Sequence, residues 1–191
     1  TIVNFLFINT NAQNKALDFD GMDDYVEVSP NSSLNMHNSS LTVEFWMKGD
    51  ESLNFSVERM IIDRNFKVST TSDWEFKFDF DGSNAPLFTT IDWSDGHWHH
   101  VAGVFDNSND KFQFYFDGVL INEASETNAP GDVTMSLYIA SHEGSSSFSD
   151  IMLDEIRIWD DARTKNEIRA NMYQKLAGTE DNLVAYYKFN E

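Results

Sequence analysis

Residues 96–121 read GHWHHVAGVFDNSNDKFQFYFDGVLI, and this stretch decides the fold. Residues 98–105 are mostly apolar, with β-branched and aromatic side chains that suit a strand. Asp106-Asn107-Ser108-Asn109-Asp110 follows. These residue types hydrogen-bond their own backbone and tolerate left-handed conformations, so they mark a tight turn. Beyond it Phe112, Phe114 and Phe116 alternate with Lys111, Gln113, Tyr115 and Asp117. That period places three phenyl rings on one face of a second strand. Asp117-Gly118 signals another turn before Val119-Leu120-Ile121. An antiparallel meander with one apolar face needs a second apolar layer to cover it, and a two-sheet sandwich follows.

The same alternation recurs outward from this centre. In residues 41–48, Leu41, Val43, Phe45 and Met47 share one face and Thr42, Glu44, Trp46 and Lys48 the other. In residues 74–80, Trp74, Phe76, Phe78 and Phe80 alternate with Glu75, Lys77 and Asp79. Further strands are expected at 16–20, 25–28, 60–63, 67–70, 87–91, 133–140, 151–159 and 183–189. One helix is expected near the C-terminus. Thr164 caps it, Glu167 completes a capping box, and Ile168, Met172 and Leu176 keep helical spacing until Gly178 ends it. Some twelve strands and a single short helix exclude a parallel α/β arrangement.

The chain has 191 residues with 41% hydrophobic content, 16 Phe and 5 Trp, enough core for one domain over residues 1–191. The formal charge is −19, from 32 acidic and 13 basic side chains. This excess repels nucleic acid and anionic membranes, and it suits hard cations such as Ca²⁺ as well as solubility. Without cysteine there is no disulfide and no thiolate metal site. Nowhere do 18 apolar residues run together, so membrane insertion is not expected. Residues 1–15 read as an edge strand or as the remnant of a signal peptide cleaved near Ala12; no basic residues precede the apolar run, which favours the strand. The absence of an initiator Met points to one module of a larger multidomain protein.

Three segments together resemble the laminin-G-like, concanavalin-A-like jelly-roll superfamily, which includes the pentraxins. They are Ala16-Leu17-Asp18-Phe19-Asp20-Gly21 with Asp23-Asp24-Tyr25-Val26, then Trp98-His99-His100-Val101-Ala102 with Phe116-Asp117-Gly118, then Leu153-Asp154-Glu155-Ile156-Arg157-Ile158-Trp159. The closing Leu183-Val184-Ala185-Tyr186-Tyr187-Lys188-Phe189 fits as well. The resemblance implies an all-β, two-sheet antiparallel jelly roll. It leaves function open, because lectins, carbohydrate-binding modules, adhesins, lyases and hydrolases share the fold.

The resemblance also implies a structural Ca²⁺, its ligands mapping to Asp20, Gly21 and Asp154. Ca²⁺ takes six to eight oxygens, and an Asp inside an apolar strand is costly to bury unpaired. Arg157 is the alternative partner for Asp154. Asp23, Asp24 and Asp150 are weaker ligand candidates. For sugar binding, which stacks pyranose rings on aromatic faces, the candidates are Trp93 in a polar loop, Trp74 at the rim of a sheet, and Tyr115 opposite the Phe row. Arg64 and His97 offer polar contacts, with Arg59 and His142 behind them. Trp46, Trp98 and Trp159 read as core. His97, His99 and His100 invite a zinc reading, but alternation along a strand gives at most two ligands on one face. No run of acids has the spacing of a retaining glycosidase, since Lys77 stands between Glu75 and Asp79. The expectation is therefore a secreted or cell-surface, calcium-stabilised, non-catalytic module that binds a polysaccharide or other glycan. The alternatives are a protein-binding adhesive module and, third, a polysaccharide lyase or glycoside hydrolase.

Overall fold

The structure is a computed structural model, and it describes residues 16–49, 58–71, 75–81, 83 and 85–189. Two antiparallel sheets face each other. The seven-stranded sheet runs β1 (Leu17–Asp20), β12 (Asp150–Trp159), β3 (Leu41–Lys48), β8 (His99–Asp106), β9 (Lys111–Phe116) and β10 (Val119–Ser125), and β13 (Leu183–Tyr187) also pairs with β12. The six-stranded sheet runs β2 (Val26–Val28), β11 (Leu137–Ile139), β4 (Arg59–Asp63), β5 (Phe66–Thr70), β6 (Glu75–Phe80) and β7 (Leu87–Thr90). Among the described residues a single α-helix, α1, spans Lys165–Asn171, and a 3-10 turn spans Ser32–Leu34. The expected all-β jelly-roll sandwich with one short helix is what the chain forms.

The core is where the two period-two patterns meet. Phe112, Phe114 and Phe116 point inward from β9 and Phe76, Phe78 and Phe80 from β6. Their rings interlock: Phe76 lies 5.1 Å from Phe114, Phe78 5.0 Å from Phe112 and Phe80 5.1 Å from Phe112, all tilted or edge-on. Each buried Phe contributes roughly 2–3 kcal/mol by area, and favourable ring pairs add about 1 kcal/mol. Six such rings outweigh any single polar contact in the molecule.

Three local expectations change. Residues 133–136 lie outside β11, which is only three residues long. The helix stops at Asn171 rather than continuing to Gly178. Its capping box forms as expected, with Thr164 accepting from the Glu167 amide. Its last carbonyls are taken by side chains of the sheet below, as described next, so a further turn is not needed to satisfy them. Finally, β12 bulges between Asp154 and Arg157, with Glu155 at φ +52°. The bulge separates the β12 segment paired with β1 from the segment paired with β13.

Candidate functional site

The outer face of the seven-stranded sheet is divided in two. One half lies under α1, where Ile168 packs on Ala102, Val104 and Tyr115. The other half is open and carries aromatic side chains. Trp46 projects outward from β3, half-buried. Its ring meets His100 edge-on at 5.4 Å, and its indole N–H donates to the Met172 carbonyl at 2.8 Å. Tyr173, just beyond α1, tilts over Trp46 at 5.3 Å and is 73% exposed. Lys48 stands on the same outer face opposite Met152, which in turn faces Asp18. Trp98 is 38% exposed. It sits one residue before β8, and because His99 pairs with the inward Met47, alternation sets Trp98 on the outer side near Lys48. Trp46 and Tyr173 thus stack into one aromatic surface, with Asp154 opposite Trp46, Lys48 and Trp98 in the next row of the face and Asp18 further out on β1. The faces of such rings suit the C–H faces of a sugar.

The covered half is polar. Glu44 and His100 are each 1% exposed, and Arg157 is equally buried. Glu44 Oε1 accepts from Trp159 Nε1 at 3.0 Å and lies 3.6 Å from Arg157 Nη1. Arg157 donates to the carbonyls of Asn171 at 3.0 Å and Gln174 at 2.7 Å, and to Glu155 at 2.9 Å. Arg157 is therefore committed to the end of α1 and to Glu44 and Glu155, so the alternative pairing with Asp154 does not form. Burial pushes the Glu44 carboxyl up, opposed by the Arg157 charge and the Trp159 hydrogen bond. Burial, with Arg157 adding, drives His100 down to about 3. At neutral pH the 3.5 Å contact between Glu44 and His100 therefore joins a carboxyl to a neutral imidazole rather than two ions.

The sugar-binding candidates named from sequence do not converge. Trp93 is 2% exposed, its ring 5.7 Å from Phe76 in the core. The polar loop around it folds inward, so the ring is not a platform for a ligand. Tyr115 does face outward, but α1 covers it, and its hydroxyl turns toward Gln113. Arg64 is buried at the β4–β5 turn, where it donates to the Met135 carbonyl. His97 is exposed and pairs with Asp95 at 3.2 Å. Trp74 lies outside the described residues. Trp159 is core as expected, while Trp46 and Trp98 are the outward rings. Trp46 stands at the polar phase of the 41–48 alternation, the signal that would have found it. Tyr173 follows the helix and carries no periodic signal.

The histidines also separate. His99 is held between Asp117 at 2.9 Å and Asp95 at 3.1 Å, at the rim of the inner face, while His100 points outward to Glu44.

The expected metal ligands divide in a similar way. Asp20 pairs with Asp150, whereas Asp154 lies four residues further along β12, about 13 Å away in an extended strand. Asp154 therefore does not join Asp20 and Gly21. Instead the oxygens of Asp20, Asp23 and Asp24 come within 4.8 Å of one another. Asp20 accepts from the Met22 amide at 2.9 Å and Asp24 from the Asp20 amide at 3.4 Å, which curls the turn around the three carboxylates. The Gly21 carbonyl meets Arg59 Nη1 at 3.4 Å. Gly21 has φ +73°, and a Cβ there would lie 2.9 Å from the Asp150 Cβ, so glycine is required.

A family model described as the concanavalin A-like lectin/glucanases superfamily, of laminin-G type, matches residues 20–169. The chain belongs to this superfamily. Solved structures agree on the fold. A candidate carbohydrate-binding protein from Bacteroides ovatus superposes with TM-score 0.73 at 19% identity, over 92% of this chain and 51% of the other. The binding domain of Paraclostridial Mosquitocidal Protein 1 gives 0.72 at 17% identity, over 89% and 46%. A heptameric SAP-like pentraxin from Limulus polyphemus gives 0.59 at 15% identity, over 90% of both chains. The chain spans about half the length of the first two. No curated protein matches it in sequence. Among the described residues, no helix is long and apolar enough to cross a membrane.

Proposed function

We propose that this laminin-G-like chain is a non-catalytic carbohydrate-binding module of a secreted or cell-surface protein. It binds a polysaccharide on the open half of the seven-stranded sheet. The observation that carries this reading is the exposed Tyr173 ring tilted over Trp46, with Trp98 on the same side. Shared architecture with the candidate Bacteroides ovatus carbohydrate-binding protein supports it. Of the acids around the platform, Glu44 holds Trp159 and Arg157, Glu155 holds Arg157 and Tyr186, and Asp154, opposite Trp46, accepts from the Glu155 amide.

The same reading includes a structural Ca²⁺ at the turn after β1. Asp20, Asp23 and Asp24 supply the hard oxygen donors such an ion requires. Burial raises the Asp24 carboxyl, and the charges of Asp20 and Asp23 raise it further, so a divalent cation relieves a repulsion already present. Bound there, the ion would offset two of the three carboxylate charges of the turn.

Affinity electrophoresis through gels containing soluble polysaccharides tests the binding. The chain is retarded by at least one polysaccharide, and Tyr173→Ala and Trp46→Ala each lose the retardation. Release of reducing or unsaturated sugars would instead show a catalyst, and unchanged mobility of both variants would remove the platform. A second reading, a protein-binding adhesive module, draws on the exposed Val119, Leu120 and Ile121 at the β10 edge, with Phe88 on β7.

A further inference from the structure

We propose that Asp154 selects the glycan: its carboxylate accepts hydroxyl hydrogens from a neutral sugar stacked on Trp46 and Tyr173, and its charge turns acidic polysaccharides away. This assignment rests on the platform reading above and deepens it.

Position is the first ground. Asp154 stands directly opposite Trp46 in the β12–β3 register. Side chains so opposed start about 5 Å apart at Cβ, so the carboxylate borders the indole. His100 stands on the other flank of Trp46, and the row across β12, β3 and β8 reads Asp154, Trp46, His100. The β12 bulge fixes this placement. Glu155 holds a left-handed φ of +52°, and its amide donates back to Asp154 Oδ1 at 2.8 Å. A non-glycine residue adopts that backbone at a cost, and bulges re-aim the side chains beside them.

The carboxylate is otherwise short of partners. Asp154 is 7% exposed, yet the Glu155 amide gives the only hydrogen bond it receives among the described residues. A carboxylate can accept about four. Neither nearby cation serves it. Arg157 is engaged by α1, Glu44 and Glu155. Lys48, diagonal to Asp154 across the strand pair, forms no ion pair among the described residues. Burial raises the Asp154 carboxyl to about 6, so at pH 7.5 it is mostly ionised. An ionised group nine-tenths buried without a counter-charge is unfavourable. A ligand supplies what is missing: a sugar lying on the indole brings ring hydroxyls to its edge, and those are the donors the carboxylate lacks.

Charge sets the class of sugar. Asp18, exposed on β1, adds a second acid in the next row, against the single amine of Lys48. The chain as a whole carries −19. A uronate or a sulfate ester brought against Asp154 would meet a like charge at short range. Neutral hexose and pentose polymers bring only hydroxyls.

Affinity electrophoresis at pH 7.5 and low salt tests the assignment. One set of gels carries barley β-glucan, galactomannan, arabinoxylan or pullulan, which are neutral. The other carries alginate, polygalacturonate or carrageenan. The native chain should be retarded in at least one neutral gel and run freely in the acidic ones. In that neutral gel Asp154→Asn should raise the dissociation constant about tenfold, the scale of a hydrogen bond to a charged group, and Asp154→Ala at least as much. The melting temperature of Asp154→Asn should meanwhile rise. A firmer fold with weaker binding is a pairing that a structural carboxylate does not produce. Asp154→Asn binding as tightly as the native chain, while Trp46→Ala loses retardation, overturns the assignment and leaves the platform. Weaker binding with a lower melting temperature overturns it too, because the residue is then structural. Stronger retardation in an acidic gel than in any neutral one overturns the neutral-sugar class. Retardation in no gel overturns the platform reading and the assignment together.

Discussion

Gly103 lies flat against Phe78. A Cβ built on Gly103 would sit 2.9 Å from two carbons of that ring, closer than side-chain carbons pack. Phe78 is itself wedged against Phe112 in the middle of the core, at 5.0 Å between ring centroids, so it has little room to retreat. Strand β8 therefore needs a glycine at its centre even though its φ is ordinary. Gly103→Ala should destabilise the chain by about 1–3 kcal/mol through overpacking. Chemical denaturation should show this, with part of the loss recovered when Phe78→Leu is added. An unchanged midpoint for Gly103→Ala would mean the two sheets can separate locally.

His99 should make stability fall above neutral pH. Burial alone pulls its imidazolium down, but the hydrogen bonds and charges of Asp117 and Asp95 outweigh it and hold the group above its ordinary value. A raised folded-state value adds stability that is complete below about pH 6.5, the unfolded value, and is lost as pH rises through the folded one. Asp95, depressed to about 2 by the His97 amide and by His99, contributes with the opposite slope and is lost only in strong acid. Thermal melts between pH 5.5 and 8.5 should fall more steeply for the native chain than for His99→Gln. Parallel curves would remove the clasp.

Asp154 should shift stability in the same direction over a more acidic window. Burial raises its carboxyl to about 6, partly offset by the Glu155 amide that donates to it at 2.8 Å. A raised acid favours its protonated form in the fold, so stability declines as pH rises from about 4 toward 6. Asp154→Asn keeps the acceptor for the Glu155 amide and removes the buried charge. It should stabilise the chain by roughly 1–3 kcal/mol at pH 7.5 and by little at pH 4.5. Stabilisation of equal size at both pH values would point to packing rather than charge.

The acidic turn should answer to calcium. Melting temperature should rise with added Ca²⁺ and fall with chelator, because an ion bound only by the folded chain stabilises it by mass action. Asp24→Asn should abolish the response while slightly stabilising the chelated protein, since it removes one of three crowded charges. Asp154→Asn should leave the response intact. A melting curve indifferent to chelator would take the ion out of the account.

Where residues repeat with period two, they stated the fold openly. The Phe76, Phe78, Phe80 and Phe112, Phe114, Phe116 rows could do little else than face each other. The Thr164–Glu167 box likewise announced the start of α1, because a cap is a local bond between residues three apart. What stayed hidden depended on distant partners. The helix ends early because Arg157 and Trp46 reach its carbonyls from the sheet. Trp93 sits in a polar loop yet is buried, because Phe76 on another strand receives it. Asp154 and Asp20 read as one cluster until register set Asp150 opposite Asp20 and exposed the offset. Tyr173 gained its place only through Trp46, brought beside it by the sheet.

Strand β12 meets β13 along one stretch and β1 along the next, and both run in the same direction. Tyr187 faces Ile156 and Leu17 faces Leu153, so the end of one and the start of the other are only three β12 positions, about 10 Å, apart. In space they are one interrupted strand, and the polypeptide path is a ring with a single nick beside the Asp154–Glu155 bulge. A linker of a few residues from 187 to 17 would close that ring, and new ends opened in the turn at 106–110 would leave every pairing of the two sheets intact.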